Sequence, residues 1–363
     1  MMNQEVHKNF LAASRDEEIC VCAVGARTPL GFDSVSSAAA VRAAISAVTL
    51  HPFFVDKAED PISIAKDCGL EPDAEIVSRL KQMLLSAVEE ACGDRSWLRD
   101  SLRVHCWVGL PEPRAGLPQD MASSICSAFA SNIGLRASCV HALPRGHASG
   151  LMAMQAAADK ILSGEADFCL AAGVDSYHDR LTLKWLDSHG SLMSASNRSG
   201  FPPGEAAGAC LLMKRATAEL HGMPILARIT AAATSIETCT IRGSGVCVGE
   251  GLSAALRGAS SSIRLPEEAI TATYCDINGE RYRSEEFLYT LLRTQDLFVD
   301  ANDYQCPSDC WGDVGAASGP LFLCLAVASS ERNYAKGARP ILWAGSYSGH
   351  RTAVLLALGD KQV

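Results

Sequence analysis

Two loops of this 363-residue chain hold side chains that could carry out proton chemistry together. One is Gly146-His147-Ala148-Ser149-Gly150. The other is Gly312-Asp313-Val314-Gly315-Ala316-Ala317-Ser318-Gly319. In each, a Ser-Gly pair opens an apolar stretch of helical length. Helix N-termini present free N–H groups and favour anions and nucleophiles. If the two helix starts meet, His147 meets Asp313. An imidazole held by a carboxylate is a general-base arrangement, because the carboxylate orients the ring and stabilises imidazolium.

The elements that must position these loops form an internal repeat. Residues 146–176 and 312–349 share one order: loop, small-residue helix, Gly near the helix end (Gly164, Gly337), then an apolar strand ending in Ala-Gly (Ala172-Gly173, Ala344-Gly345). The helix over 149–163 is apolar on almost every face, which predicts burial. Strands Phe-Cys-Leu-Ala-Ala-Gly and Ile-Leu-Trp-Ala-Gly lack polar alternation, so both faces of each are covered, as in an α/β protein. The expected architecture is two buried helices between two sheets, a layered αβαβα sandwich of two pseudo-duplicated halves. The halves are expected over 18–222 and 223–363, after a flexible lead-in over 1–17.

Composition sets the class. The chain is 48% hydrophobic and 20% charged, with room for two sizeable cores. A net charge of −9 argues against nucleic acid or an anionic membrane as partner. No apolar run is long enough to span a bilayer, and residues 1–18 lack the apolar core of a secretory signal. A cytoplasmic protein is expected. The 15 cysteines are scattered through apolar segments and read as reduced, buried small hydrophobes rather than disulfides. Cys306 and Cys310 have no second Cys/His pair at zinc-finger spacing.

A coarse pass predicts helices over 34–47, 75–93, 119–132, 249–258 and 284–293. It predicts strands over 18–26, 105–110, 208–213, 225–234 and 269–277. Residues 178–205, rich in Ser, Gly and Pro, read as a long site-shaping connection without secondary structure.

These segments resemble the β-ketoacyl synthases of the thiolase-like superfamily. Val24-Gly25-Ala26-Arg27-Thr28-Pro29-Leu30-Gly31 is similar to that family's first strand and turn, and residues 51–57 to part of its early loop region. Residues 148–176 resemble the helix and strand that follow its nucleophile. Residues 200–213, with Gly204 and Glu205, resemble its Gly-Glu-Gly-Ala-Gly strand; Glu205 is expected to be buried and to bond backbone amides. Residues 315–319 resemble the start of its second central helix, and Ser346-Tyr347-Ser348-Gly349 its C-terminal turn. The resemblance runs from about residue 18 to 358, more loosely between 230 and 310. It implies the five-layered thiolase-like fold, acyl chemistry of fatty-acid or polyketide type and no cofactor. It also implies a homodimer, or a heterodimer with a ketosynthase, meeting an acyl carrier protein or acyl-CoA.

The resemblance does not carry the catalytic set across. The family places a Cys at the first helix start to hold an acyl thioester, and two His residues to assist decarboxylation and enolate stabilisation. Those positions fall on His147, Asp276 and Asp313. The family's lysine falls on Ser308, and its gatekeeper Phe on Tyr347. Cys275 lies one position from Asp276, and a one-residue shift in a strand turns a side chain to the opposite face. An acyl-imidazole is hydrolytically labile, and a carboxylate cannot donate to an enolate oxyanion unless its pKa is strongly raised. Condensation by this chain alone is therefore not expected.

Three readings of His147, Asp276 and Asp313 stay open. The first is a retired site on a non-catalytic, chain-length-factor-like partner. The second is an acyl-thioester transferase or hydrolase with His147 as base. The third is a metal site that adds His350. A scaffold role on an inherited dimeric fold is a further alternative. Ser149, Tyr347, His350 and Cys310 are placed around the substrate. Arg145 and Arg351 flank the expected pocket, with solvated surface positions as their ordinary role.

Overall fold

The computed structural model describes residues 6–9, 14–93, 103–134, 139–241, 243 and 245–359. Its strands are β1 (Val6–Asn9), β2 (Ile19–Arg27), β3 (Val48–Val55), β4 (Pro61–Ala65), β5 (Val104–Leu110), β6 (Val140–Pro144), β7 (Phe168–Ser176), β8 (Glu205–Lys214), β9 (Ala227–Ile236), β10 (Ala272–Cys275), β11 (Tyr304–Gln305), β12 (Pro340–Gly345) and β13 (His350–Leu358). The order β6-β5-β7-β8-β2 forms one half, and β11-β10-β12-β13-β9 the other. Ranked by chain position within each half, both read 3-2-4-5-1. The repeat seen over two loops thus extends to whole sheets.

The alternation of side chains across the strands defines the layers. From β7, Phe168, Leu170, Ala172 and Val174 pack outward with helices Ile76–Cys92 and Met121–Ile133. Cys169 and Ala171 point inward to the central helices, Ser149–Leu162 and Ser318–Glu331. In the other half, Ile341, Trp343, Ala353 and Leu355 face helices Glu250–Ala259 and Arg281–Thr294, while Leu342, Ala344, Val354 and Leu356 face the centre. The five layers are therefore present.

The two sheets are not separate. β2 pairs with β9 over Ile19–Val21, so hydrogen bonds run continuously from one half to the other. Within the expected lead-in, Val6–Asn9 forms β1, antiparallel to β9; residues 1–5 and 10–13 of that segment lie outside the described residues. The segment over 178–205 is also more regular than its composition predicts. Helix Arg180–Ser188 starts at Asp179, whose carboxylate accepts from the Leu181 and Thr182 amides. Its Leu183 and Leu186 bury against Ile62 and Ile64 of the β3–β4 hairpin. The apolar spacing of this helix is hidden in a run read for its Ser and Gly.

The central helices cross backbone to backbone. A Cβ on Gly150 would meet the Ala316 carbonyl at 2.6 Å, and one on Gly319 would meet the Leu151 amide nitrogen at 2.6 Å. Only glycine admits this approach, and it draws the two helix starts together. Gly319→Val is expected to destabilise by about 3 kcal/mol or more, because neither contact is a side chain that can swing away. A denaturant titration with an unchanged midpoint would remove glycine from that role.

Candidate functional site at the central helix starts

The crossing brings the two sequence-predicted loops into contact. His147 lies in a one-turn 3-10 helix, Gly146–Ala148, immediately before the first central helix. Its Nε2 is 2.9 Å from both carboxylate oxygens of Asp313, and the residues are 2% and 4% exposed. Asp313 also accepts from the Gly315 amide (2.8 Å), the Asn278 side-chain amide (2.5 Å) and the Tyr177 hydroxyl (3.3 Å). Asp175, at the end of β7, steadies the second loop by accepting from the Ala316 amide and from Arg114.

This pair is ionic. Burial opposes a charged ring, but the adjacent Asp313 carboxylate outweighs it, and the His147 pKa is raised. Burial likewise opposes the Asp313 charge, and His147 outweighs it in turn, so the Asp313 pKa falls below the ordinary 3.8. The stability contributions follow in sign. That of His147 is full below its ordinary value of 6.5 and is lost as pH rises through the higher folded value. That of Asp313 is full above 3.8 and is lost as pH falls through the lower folded value. The stability difference between wild type and His147→Gln is therefore expected to shrink as pH rises above the ordinary value of 6.5. Denaturation midpoints measured from about pH 6 upward check it, and a constant difference would exclude a charged ring.

Asp276 lies close by but does not flank His147 as a second orienting carboxylate. Its Oδ2 accepts from Arg283 and from the Gly345 amide, both at 2.8 Å. Arg283 is 3% exposed and also reaches the Gly345 carbonyl and Glu280. Burial opposes its charge, yet Asp276, Tyr347 and Glu280 push its pKa well up. Tyr347 donates to Glu280 at 2.8 Å, and its ring stands edge-on to His147 with centroids 5.4 Å apart. Ser308 donates to the Ile277 carbonyl and, with Asp276, Asn278, Asp313 and Ser318, lines a small cavity beside the ion pair.

The other predicted positions divide. Ser149 is fully buried and donates to the carbonyls of Gly146 and Leu110, within the start of its own helix. Cys310 is half-buried on the short helix Ser308–Trp311, where burial and Asp309 raise its pKa. His350 opens β13, where its Nδ1 lies 3.0 Å from the exposed Ser348 hydroxyl. Among the described residues, His147, Asp276, Asp313 and His350 supply no three ligand atoms within 4.8 Å of one another, so the four-ligand metal reading has no geometric support. Arg145 is exposed. Arg351 is not solvated as expected: it is 1% exposed, 2.7 Å from Glu286, and also donates to Tyr282. Glu205 is buried as expected, accepting from the Asp67 amide, Arg79 and Ser176.

Sequence reasoning did not find Tyr177, Asn278, Glu280 or Arg283. The last three lie within seven residues of Asp276, in Asp276-Ile277-Asn278-Gly279-Glu280-Arg281-Tyr282-Arg283, a dense polar run beside a buried strand. That density was the available signal.

No helix among the described residues is long and apolar enough to cross a membrane. In comparisons with known proteins, no curated protein matches the chain. Solved structures match over nearly its whole length. One is a type II polyketide synthase acyl-carrier protein in complex with its ketosynthase bound to the hexaketide (TM-score 0.80, 15% identity, 95% of this chain and 100% of that one). Another is an oxazolomycin ketosynthase domain of Streptomyces albus JA3453 (0.76, 17%, 96% and 75%). A third is the ishigamide ketosynthase/chain length factor (0.76, 16%, 95% and 100%). At such identities the likeness establishes the fold, the thiolase-like arrangement of these ketosynthases. The sequence itself matches the model of the beta-ketoacyl synthase N-terminal domain over residues 16–218, more than half of the chain, and the chain therefore belongs to the beta-ketoacyl synthase family.

Proposed function

We propose that this chain is a non-condensing member of its family, working in the cytoplasm beside a cysteine-bearing ketosynthase as a chain-length-factor-like subunit in fatty-acid or polyketide-type acyl metabolism. The observation that carries the reading is the ion pair of His147 and Asp313. The residue at the first central helix start, where the family presents its nucleophile, is a histidine with Nε2 turned to a carboxylate. It has no thiolate with which to hold an acyl chain. The likeness to a ketosynthase/chain length factor is compatible with the partner role. The likeness to a ketosynthase seen with its carrier protein makes an acyl carrier protein, or acyl-CoA, the ligand to test.

Co-expression with a cysteine-bearing ketosynthase from the same genome tests the proposal. A stable heterodimer on gel filtration is expected, with product length changing when Tyr347 is replaced by Ala. A homodimer indifferent to every such ketosynthase would point instead to a scaffold role.

A further inference from the structure

We propose that Glu237, Cys247 and Glu286 bind a divalent transition-metal ion of the zinc class, at a site separate from the His147 cluster. Three elements converge to make it. Glu237 follows the end of β9, Cys247 lies on the loop before helix Glu250–Ala259, and Glu286 is on helix Arg281–Thr294. One ligand atom from each lies within 4.8 Å of the other two. Zinc bonds of about 2.0–2.3 Å would draw these atoms together around the ion.

Charge and hydrogen bonding both point to a cation. Glu237 and Glu286 are each 3% exposed, and bringing two carboxylates together in a dry setting is unfavourable without compensation. The nearest buried guanidinium, Arg351, engages only Oε1 of Glu286 and directs its other donors to Ser346, His350 and Tyr282. Glu286 pairs with Arg351 through Oε1 alone, on a side chain 4% exposed, which leaves Oε2 free to turn to an ion. Glu237 accepts one bond at each oxygen, from the Cys239 and Gly251 amides, which orients the carboxylate and leaves a lone pair free on each. The same imbalance holds more widely. Among the described residues, buried Glu237, Asp276, Glu280 and Glu286 lie near two buried guanidiniums, Arg283 and Arg351.

The ligand types select the metal. A thiolate favours zinc or cobalt over magnesium or calcium, which prefer all-oxygen sites. On binding, the Cys247 S–H proton leaves to solvent as the sulfur–metal bond forms. Two carboxylates, one thiolate and the Arg351 guanidinium then balance a divalent ion. The Glu237 amide donates to the Gly349 carbonyl at 2.7 Å, so the ion would brace the turn that carries Tyr347.

The test uses the full chain, stripped with a chelator and titrated with Co2+ and then Zn2+. One equivalent of Co2+ should bind with a thiolate-to-cobalt charge-transfer absorption, and Zn2+ should bleach it. Cys247→Ser should abolish that band, and Cys247→Ser and Glu286→Gln should each weaken Zn2+ binding at least about tenfold. Cys68→Ser, at an exposed thiol, should change neither. Absence of the band in folded wild-type protein, or a Cys247→Ser variant that titrates like wild type, would overturn the assignment. Should Glu286→Gln fail to fold, Cys247→Ser, at a half-buried loop position, decides alone.

Discussion

Asp313→Ala is expected to destabilise the protein by about 3–5 kcal/mol, the range for removing one partner of a buried ion pair. The loss leaves the buried His147 ring without the carboxylate that favours its charged form. It also leaves the Tyr177 hydroxyl, the Asn278 amide and the Gly315 N–H without an acceptor they now share. Asp313→Asn keeps a carbonyl oxygen for some of these donors but not the charge, so it should fall between alanine and wild type. Equilibrium denaturation of the three proteins at pH 7 ranks them. A loss below about 1 kcal/mol for alanine would place the pair among weak, solvent-screened contacts, against the burial of both residues.

His147→Cys is the second large test, because it restores the nucleophile type of the family in one step. No ketoacyl product is expected from it with acyl and malonyl carrier thioesters. The new thiol would face the Asp313 carboxylate, and a neighbouring negative charge raises a thiol pKa and suppresses the thiolate. Asp276, whose Oδ2 accepts from Arg283 and the Gly345 amide, would still stand where the family has a histidine donor to the enolate oxygen. Alkylation of the variant by iodoacetamide should accordingly be slower than that of an unperturbed cysteine. Carrier-dependent ketoacyl product from His147→Cys would show that the surrounding machinery is intact, and the non-condensing reading would fall.

The repeat around Ser149-Gly150 and Ser318-Gly319 made the central layer legible, because a helix apolar on all sides and strands without alternation allow no other place than between sheets. Position therefore came through for His147 and Asp313. Partnership came through less well. Asp276 reads in sequence as one more carboxylate beside His147, and only the folded chain pairs it with Arg283. Arg351 carried no sign that distinguished it from a solvated arginine, since a charged residue reads the same in sequence whether water or Glu286 faces it. Helix Arg180–Ser188 was missed because its cap, Asp179, and its two buried leucines sit in a stretch dominated by turn-forming residues.

The ion pair joins residues 166 positions apart, one in each half of the chain. A first half folded alone would hold a buried site for a cation with no counter-charge, and a second half alone would hold the reverse. Partly assembled states are thus penalised twice, once for the apolar helix faces they expose and once for the stranded charge. Unfolding should accordingly proceed in one cooperative step despite the size of the chain, with no half-structured intermediate populated. A residue pair at the place of a reaction centre would then serve as a checkpoint on folding.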